Sequence, residues 1–279
     1  MPTGARTRAG PVTAIAELSI WDSKGLLLYC SVVALLLGAV FGSFLNCAAC
    51  RIAHGRSFLK GRSICPACSH VLGAADLVPV FSWLFLKGRC RYCGERIPAR
   101  YPLTELGFAL LTLLCLLRFD LTVLCLRNWI FLCCLFCLSL VDMEVYIIPD
   151  DCLLTALAAY VAALPLLRPG WAEIFRGVLA GVLFGGGLLL LSLLMDRILK
   201  KDSLGGGDIK LFAVIGLYLG LVGTLFTLLL ACVAGLLFGL LLRRGGKPIP
   251  FGPAIALAAA FVLLYGDGMI NWYLGLLGL

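Results

Sequence analysis

The apolar positions of this chain gather into eight runs, near residues 26–48, 103–117, 128–141, 152–167, 174–195, 209–221, 222–242 and 251–266, each bounded by charged residues or by Pro and Gly. Runs of this kind read as membrane helices, for which about 17–20 residues are needed to cross perpendicular to the bilayer. Those beginning near 103 and 128 fall short, so their helices are expected to extend into the flanking segments. The boundary between the sixth and seventh runs is set at Leu221, beside Gly220 and Gly223. The first run, from Leu26 to about Cys50, is long enough to span and lacks a small-residue cleavage site, so it reads as an uncleaved first helix. The apolar tail from Met269 to Leu279 is too short to span and is expected at the interface. No internal repeat of 20 to 50 residues is visible. The expected fold is an all-α polytopic membrane protein of about eight transmembrane helices, in four parts: a weakly ordered leader at 1–25, a first helix at 26–50, a loop at 51–101 and a helical domain at 102–279.

Composition agrees with this reading. Of the 279 residues 62% are apolar and 14% charged, against roughly 45–50% and ~25% in soluble domains, and the mean hydropathy is +1.04. The charges also orient the chain. With the loop from Arg51 to Arg100 taken as cytoplasmic, sixteen of the 23 Lys and Arg fall there and in the alternate loops 196–210 and 243–247, while the opposite loops hold Arg118, Arg127, Arg168 and Arg176. Basic residues concentrate on the cytoplasmic side of membrane proteins. The net charge of +8 is therefore read as a topology signal, with the lipid bilayer and not nucleic acid as the partner.

Four of the fourteen cysteines form C-P-A-C at 65–68 and C-R-Y-C at 90–93. Two C-x-x-C knuckles supply four thiolates for one tetrahedral ion, so Cys65, Cys68, Cys90 and Cys93 are read as ligands of a structural Zn²⁺. Disulfide pairing is disfavoured in a reducing cytoplasm, and no βαβ pattern surrounds either pair to suggest a redox motif. His70 follows Cys68 closely, but four cysteines already fill the site. A loop of about fifty residues buries little core unaided, so metal is expected to hold it together. The other ten cysteines lie mostly in apolar runs, where a thiol acts as a small hydrophobe.

Two aspartates stand out at the ends of apolar runs: Asp142 in L-V-D-M-E-V-Y-I-I-P-D and Asp208 in G-G-G-D-I-K. Ionisable groups at membrane depth are costly and usually functional. The charge pattern puts both on the cytoplasmic side, where two carboxylates brought together can share a proton and activate a water. Gly205, Gly206 and Gly207 permit a sharp turn and a close approach; the plainer reading of Asp208 is the N-cap of the next helix. Asp150 and Asp151 follow Pro149 and are expected to cap the following helix, Asp150 being a reserve catalyst. Glu144 is expected to be solvated, and Glu105 to sit in the first turn of its helix, where the dipole favours a carboxylate. The only histidines, His54 and His70, lie in the polar loop, which excludes an H-E-x-x-H zinc protease and a histidine base within the membrane. There is no phosphate-binding loop either.

Six motifs in order resemble those of type IV prepilin peptidases: G-S-F-L-N at 42–46 followed by Arg51, the two C-x-x-C pairs, R-Y-P-L-T-E-L at 100–106, D-M-E-V-Y-I-I-P-D at 142–150, G-G-G-D-I-K-L at 205–211 and P-I-P-F-G-P at 248–253. The similarity runs from about Gly38 to Gly266. It implies that Asp142 and Asp208 are the catalytic pair, the latter as the aspartate of a G-x-G-D motif. It further implies cleavage of the basic leader of prepilins or pseudopilins at the cytoplasmic face of the inner membrane, followed by methylation of the new N-terminal amine from S-adenosylmethionine. No G-x-G-x-x-G follows a strand, and the loop is too short for a Rossmann-type methyltransferase. The family pattern places Gly88, Asn46 and Arg51 near the methyl donor; their plainer roles are a turn glycine, a helix end and a topology charge. Three other readings stay open: a peptidase without methyl transfer, a proton- or ion-coupled transporter, and a zinc-stabilised scaffold in which the aspartates are only caps.

Overall fold

A computed structural model describes residues 19–57, 61–200, 205–242 and 250–276. Its helices are α1 (Lys24–Ala53), α2 (Phe81–Phe85), α3 (Arg100–Phe119), α4 (Val123–Val145), α5 (Asp150–Leu167), α6 (Trp171–Leu199), α7 (Gly206–Leu242) and α8 (Gly252–Leu276). All but α2 are long and apolar enough to cross a membrane. The chain is a multi-pass membrane protein, with a small cysteine-bearing module between α1 and α3.

The helices overrun the apolar runs because hydrogen bonding continues where hydropathy stops. In α3 and α4 the extension reaches Arg100 and Val145, as the short runs required. Thr122 starts α4 by accepting the Cys125 N–H at 3.1 Å, and Tyr146, at φ 58°, ends it by donating its N–H to the Asp142 carbonyl. Two expectations are corrected. The tail from Met269 is no separate interfacial segment: α8 runs on through Gly266 and Gly268 to Leu276, and 277–279 lie outside the described residues. Arg127 is not a loop charge but belongs to α4. Its guanidinium lies over the rings of Tyr160 in α5 and Tyr218 in α7, at 5.4 and 5.2 Å. Cation–π contact of this kind shelters a charge within an apolar bundle. The Tyr218 ring also stacks on Phe131 of α4, and its hydroxyl donates to the Ala156 carbonyl at 2.7 Å.

The long helix α7 is a hairpin in all but hydrogen-bond continuity. Gly220 stands at φ 65°, ψ −173°, a region that essentially only glycine occupies. Were α7 straight, residues 208 and 235 would lie about 40 Å apart at 1.5 Å per residue. Instead Gly235 packs on Phe251, next to Gly252, whose N–H is bonded to Asp142, and the charge of Asp142 reaches Asp208. The half 206–219 therefore runs away from the aspartates along α6, and the half 221–242 returns along α8, with Gly223 against Val262. The membrane domain thus has the expected eight rods, the sixth, 206–219, only about 21 Å long. Small residues allow this packing: Gly216 meets the backbone of Gly181 and Ala180 so closely that a Cβ there would lie 2.4 Å from the Gly181 nitrogen.

The central rod is α4, which packs against α1, α3, α5 and α8 and buries Phe131, Leu132, Leu135, Leu138 and Val141. Gly38 and Gly42 bring α1 against the α3 backbone at Ala109 and Glu105. Of the expected leader, residues 1–18 lie outside the described residues, while Ser19–Asp22 forms a docked turn. Ile20 is fully buried, and Asp120 accepts from its N–H and from the Ser19 hydroxyl. Replacing Gly220 with Ala places a Cβ in the disfavoured region, so the variant is expected to lose about 1–3 kcal/mol of stability, read as an earlier thermal unfolding in detergent. Unchanged unfolding would show that the turn does not depend on glycine.

Candidate active site

Asp142 is placed by the last turn of α4 and is 6% exposed. Its Oδ2 accepts the Gly252 N–H at 2.9 Å, a donor that the first residue of α8 has free because it lacks an intrahelical partner. The positive end of the helix dipole thereby faces the carboxyl group. Only glycine permits the approach, since a Cβ at 252 would lie 2.8 Å from Oδ2 and 3.0 Å from Cγ. Asp208 comes from the other direction, in the first turn of α7. Gly207 lets that turn press on Ile148, whose Cβ would be 2.8 Å from a Cβ at 207. The two aspartates, 66 positions apart in sequence, come near enough for the charge of Asp142 to act on Asp208.

Around them the other acids are engaged. Asp150 lies in the first turn of α5 after Pro149, as expected, and pairs with Lys210 at 2.8 Å, which ties α5 to α7 two residues beyond Asp208. Glu144 was expected to be solvated; it forms an ion pair with Arg100 of α3 at 3.0 Å. Gly252 is the residue of the pair's surroundings to which sequence assigned no role. Its signal was present in P-I-P-F-G-P, a glycine at a helix start, but its function lies in a backbone N–H that no residue type announces.

The four module sulfurs lie within 4.8 Å of one another, with Cys65 Sγ and Cys93 Sγ 3.9 Å apart. Four thiolates at about 2.3 Å from one tetrahedral ion have edges of about 3.8 Å, so the set fits a metal. The two knuckles repeat one design. Cys65 and Cys90 each donate an N–H to the carbonyl five residues on, at His70 and Glu95, and each accepts from the residue four on, Ser69 or Gly94, at 2.8 and 3.0 Å. Single antiparallel bridges, Ile64 with Val71 and Arg89 with Arg96, close the two loops. The Cys68 and Ala67 N–H groups hold the Cys65 thiol down to about 7, against the opposing effect of burial. The Glu95 N–H favours the Cys93 thiolate, but lost hydration and the neighbouring sulfurs outweigh it and push that thiol up to about 12. Four crowded thiolates resist ionising together until a cation compensates them. His70 stands apart from the cluster, its ring on Tyr92 at 3.7 Å. Asp76 braces the second knuckle by accepting from Arg91 Nε at 2.7 Å and the Tyr92 hydroxyl at 3.1 Å.

The module is latched to the bundle at Val80. This β-branched residue stands at φ 63°, ψ −52°, and the Phe81 N–H reaches the Pro79 carbonyl at 2.6 Å, a rare and strained γ-turn. Its own N–H donates to Glu105 Oε2 at 2.7 Å. Glu105 is 8% exposed, and its role is corrected accordingly: it serves the neighbouring module and not the start of its own helix. Of the residues that family likeness put near a methyl donor, Asn46 bonds Thr104 at 2.6 Å and the Gly42 carbonyl at 3.1 Å, and Arg51 bonds the Gly61 carbonyl at 3.1 Å. Gly88, at φ 67°, packs under Trp83, 2.9 Å from where its Cβ would be, and the Trp83 indole donates to the Ile97 carbonyl.

Comparison with known proteins adds two family matches, the Bacterial Peptidase A24 N-terminal domain over residues 36–119 and the Type IV leader peptidase family over residues 129–240. A prepilin leader peptidase/N-methyltransferase of Bacillus subtilis (strain 168) is 35% identical over 251 residues, which cover 87% of this chain and 97% of the relative. A protein of the same name from Aeromonas salmonicida (strain A449) is 37% identical over 224 residues, 76% of this chain and 74% of the relative. The type 4 prepilin-like proteins leader peptide-processing enzyme of Escherichia coli O78:H11 is 33% identical over 254 residues, 81% and 90%. No solved structure matches. Both halves of the chain are thus accounted for, and it belongs to the type IV leader peptidase family.

Proposed function

We propose that this enzyme cleaves the leader from prepilins or pseudopilins and methylates the amine so exposed, as the names of its relatives indicate. The carrying observation is that Asp142 and Asp208, from separate helices, come near enough at one end of the bundle for the charge of one to act on the other. Asp142 and Asp208 act as the catalytic pair and hold one proton between them, titrating as a unit. The ionised carboxyl takes a proton from water as the water attacks the scissile carbonyl, while the protonated partner donates a hydrogen bond to the developing oxyanion. The Gly252 N–H fixes Asp142 through Oδ2 and leaves the other oxygen for this chemistry. The pair and the cysteine module face the cytoplasmic side of the inner membrane in this reading, which the concentration of Lys and Arg in the loops on that side supports.

Cys65, Cys68, Cys90 and Cys93 hold Zn²⁺, whose contribution is structural because four thiolates leave no open position. S-adenosylmethionine is the methyl donor, placed between the module and α1. Arg51 lies at that face. Gly88 and Asn46 shape it indirectly, through the Trp83 packing and the α1 to α3 tie. The tight fit of the module on Glu105 favours this arrangement over an independent metal domain.

Asp142→Asn and Asp208→Asn are each expected to leave a folded, metal-loaded protein that does not cleave a co-expressed prepilin; normal processing by either variant, read by mass spectrometry of the substrate N-terminus, would refute the pair. Cys65→Ser and Cys90→Ser are expected to lose the metal and to lower methylation at least tenfold. Full methylation without metal would separate the module from the second activity.

A further inference from the structure

We propose that Cys115 and Cys125 form a disulfide that staples α3 to α4 at the end of the bundle opposite the cysteine module. The two sulfurs lie 3.9 Å apart, and each thiol approaches the other residue's backbone carbonyl at 3.7 Å. This reciprocal contact brings the two main chains together as well as the side chains. The intervening turn is rigid. Asp120 takes φ 57° and accepts the Leu121 N–H at 2.7 Å, Thr122 donates its hydroxyl to the Phe119 carbonyl at 2.8 Å, and the same hydroxyl oxygen accepts from Cys125. A fixed turn that already holds two thiols in contact removes most of the search that bond formation requires.

The compartment decides what becomes of such a pair. The orientation proposed above puts this end outside the cytoplasm, beyond the reductants that keep thiols free, and disulfides persist there. The same helix α4 carries a contrasting pair: Cys137, which contacts Cys152 of α5, lies five positions before Asp142, on the reducing side. The staple also has a structural place. The match to the N-terminal family domain ends at residue 119 and that to the peptidase family begins at 129, so the bond ties the end of the first match to the segment that joins the two.

The bond forms by exchange with a disulfide carried by a thiol oxidoreductase of the outer compartment. Cys125 is partly exposed and Cys115 fully buried, so the Cys125 sulfur attacks first, giving a mixed disulfide and one freed thiol on the oxidoreductase. The Cys115 sulfur then displaces the second. The two protein thiols give up two protons and two electrons, and the oxidoreductase disulfide takes up both.

The test is differential alkylation of the full-length protein in membranes of a host with an oxidising periplasm. Cells are acid-quenched, denatured with a light maleimide, reduced, and then treated with a heavy-isotope maleimide before peptide mass spectrometry. Cys115 and Cys125 are expected to carry the heavy label and Cys137 and Cys152 the light one; in Cys125→Ser, Cys115 is expected to carry the light label. Light label on both Cys115 and Cys125 in the wild type, or heavy label on Cys115 in Cys125→Ser, would overturn the assignment. A heavy Cys137 and Cys152 with a light Cys115 and Cys125 would overturn it and reverse the orientation too, without touching the cleavage result.

Discussion

A single hydrogen bond, from the Gly252 N–H to the Asp142 carboxyl, joins the parts of this protein that matter for its chemistry. A carboxyl group buried at the end of an apolar bundle costs free energy unless it is paired or hydrogen-bonded. Here the bond is supplied by the start of α8, where backbone donors are free and the helix dipole has the favourable sign. Satisfying Asp142 in this way fixes α8 against α4, and α8 in turn carries the returning half of α7, whose outgoing half begins at Asp208. The reversal at Gly220 makes this possible, because it brings both ends of α7 to the same face.

The cysteine module follows a similar logic with different means. Too small to bury a core, it depends on four sulfurs around one centre, on Asp76 bracing the second knuckle, and on the bond from Val80 to Glu105. The strained turn at Val80 persists only because a buried carboxylate of the bundle receives its N–H. Module and bundle are therefore coupled at a point of strain.

Much of this was legible in the sequence, for identifiable reasons. Spans show as separate apolar runs because charged residues are excluded from the membrane interior, and the four clustered cysteines show because the C-x-x-C spacing is the one that can gather thiols around a single centre. The two aspartates show because carboxylates are costly there, and the fold brings them together. What stayed hidden depends on contacts between distant positions or on backbone groups. Gly252 acts through an N–H; Glu105 serves a residue 25 positions away; Ile20 is docked by Asp120, 100 positions on. Arg127 looked like a topology charge because sequence does not reveal that two tyrosines from other helices enclose it. Gly220 and Gly223 looked alike, and only backbone geometry separates the residue that turns the chain from the one that packs inside a helix.

The most direct test of this account is the leader-cleavage rate of Gly252→Ala with its metal content measured in parallel. The added methyl group would sit 2.8 Å from Asp142 Oδ2 and must displace the carboxyl from its position on the Gly252 N–H, and misplacement by about 1 Å can cost roughly a hundredfold in rate. The account predicts a loss of that order in a protein that still holds its metal. Cleavage at the wild-type rate would show that the contact between Gly252 and Asp142 does not organise the site.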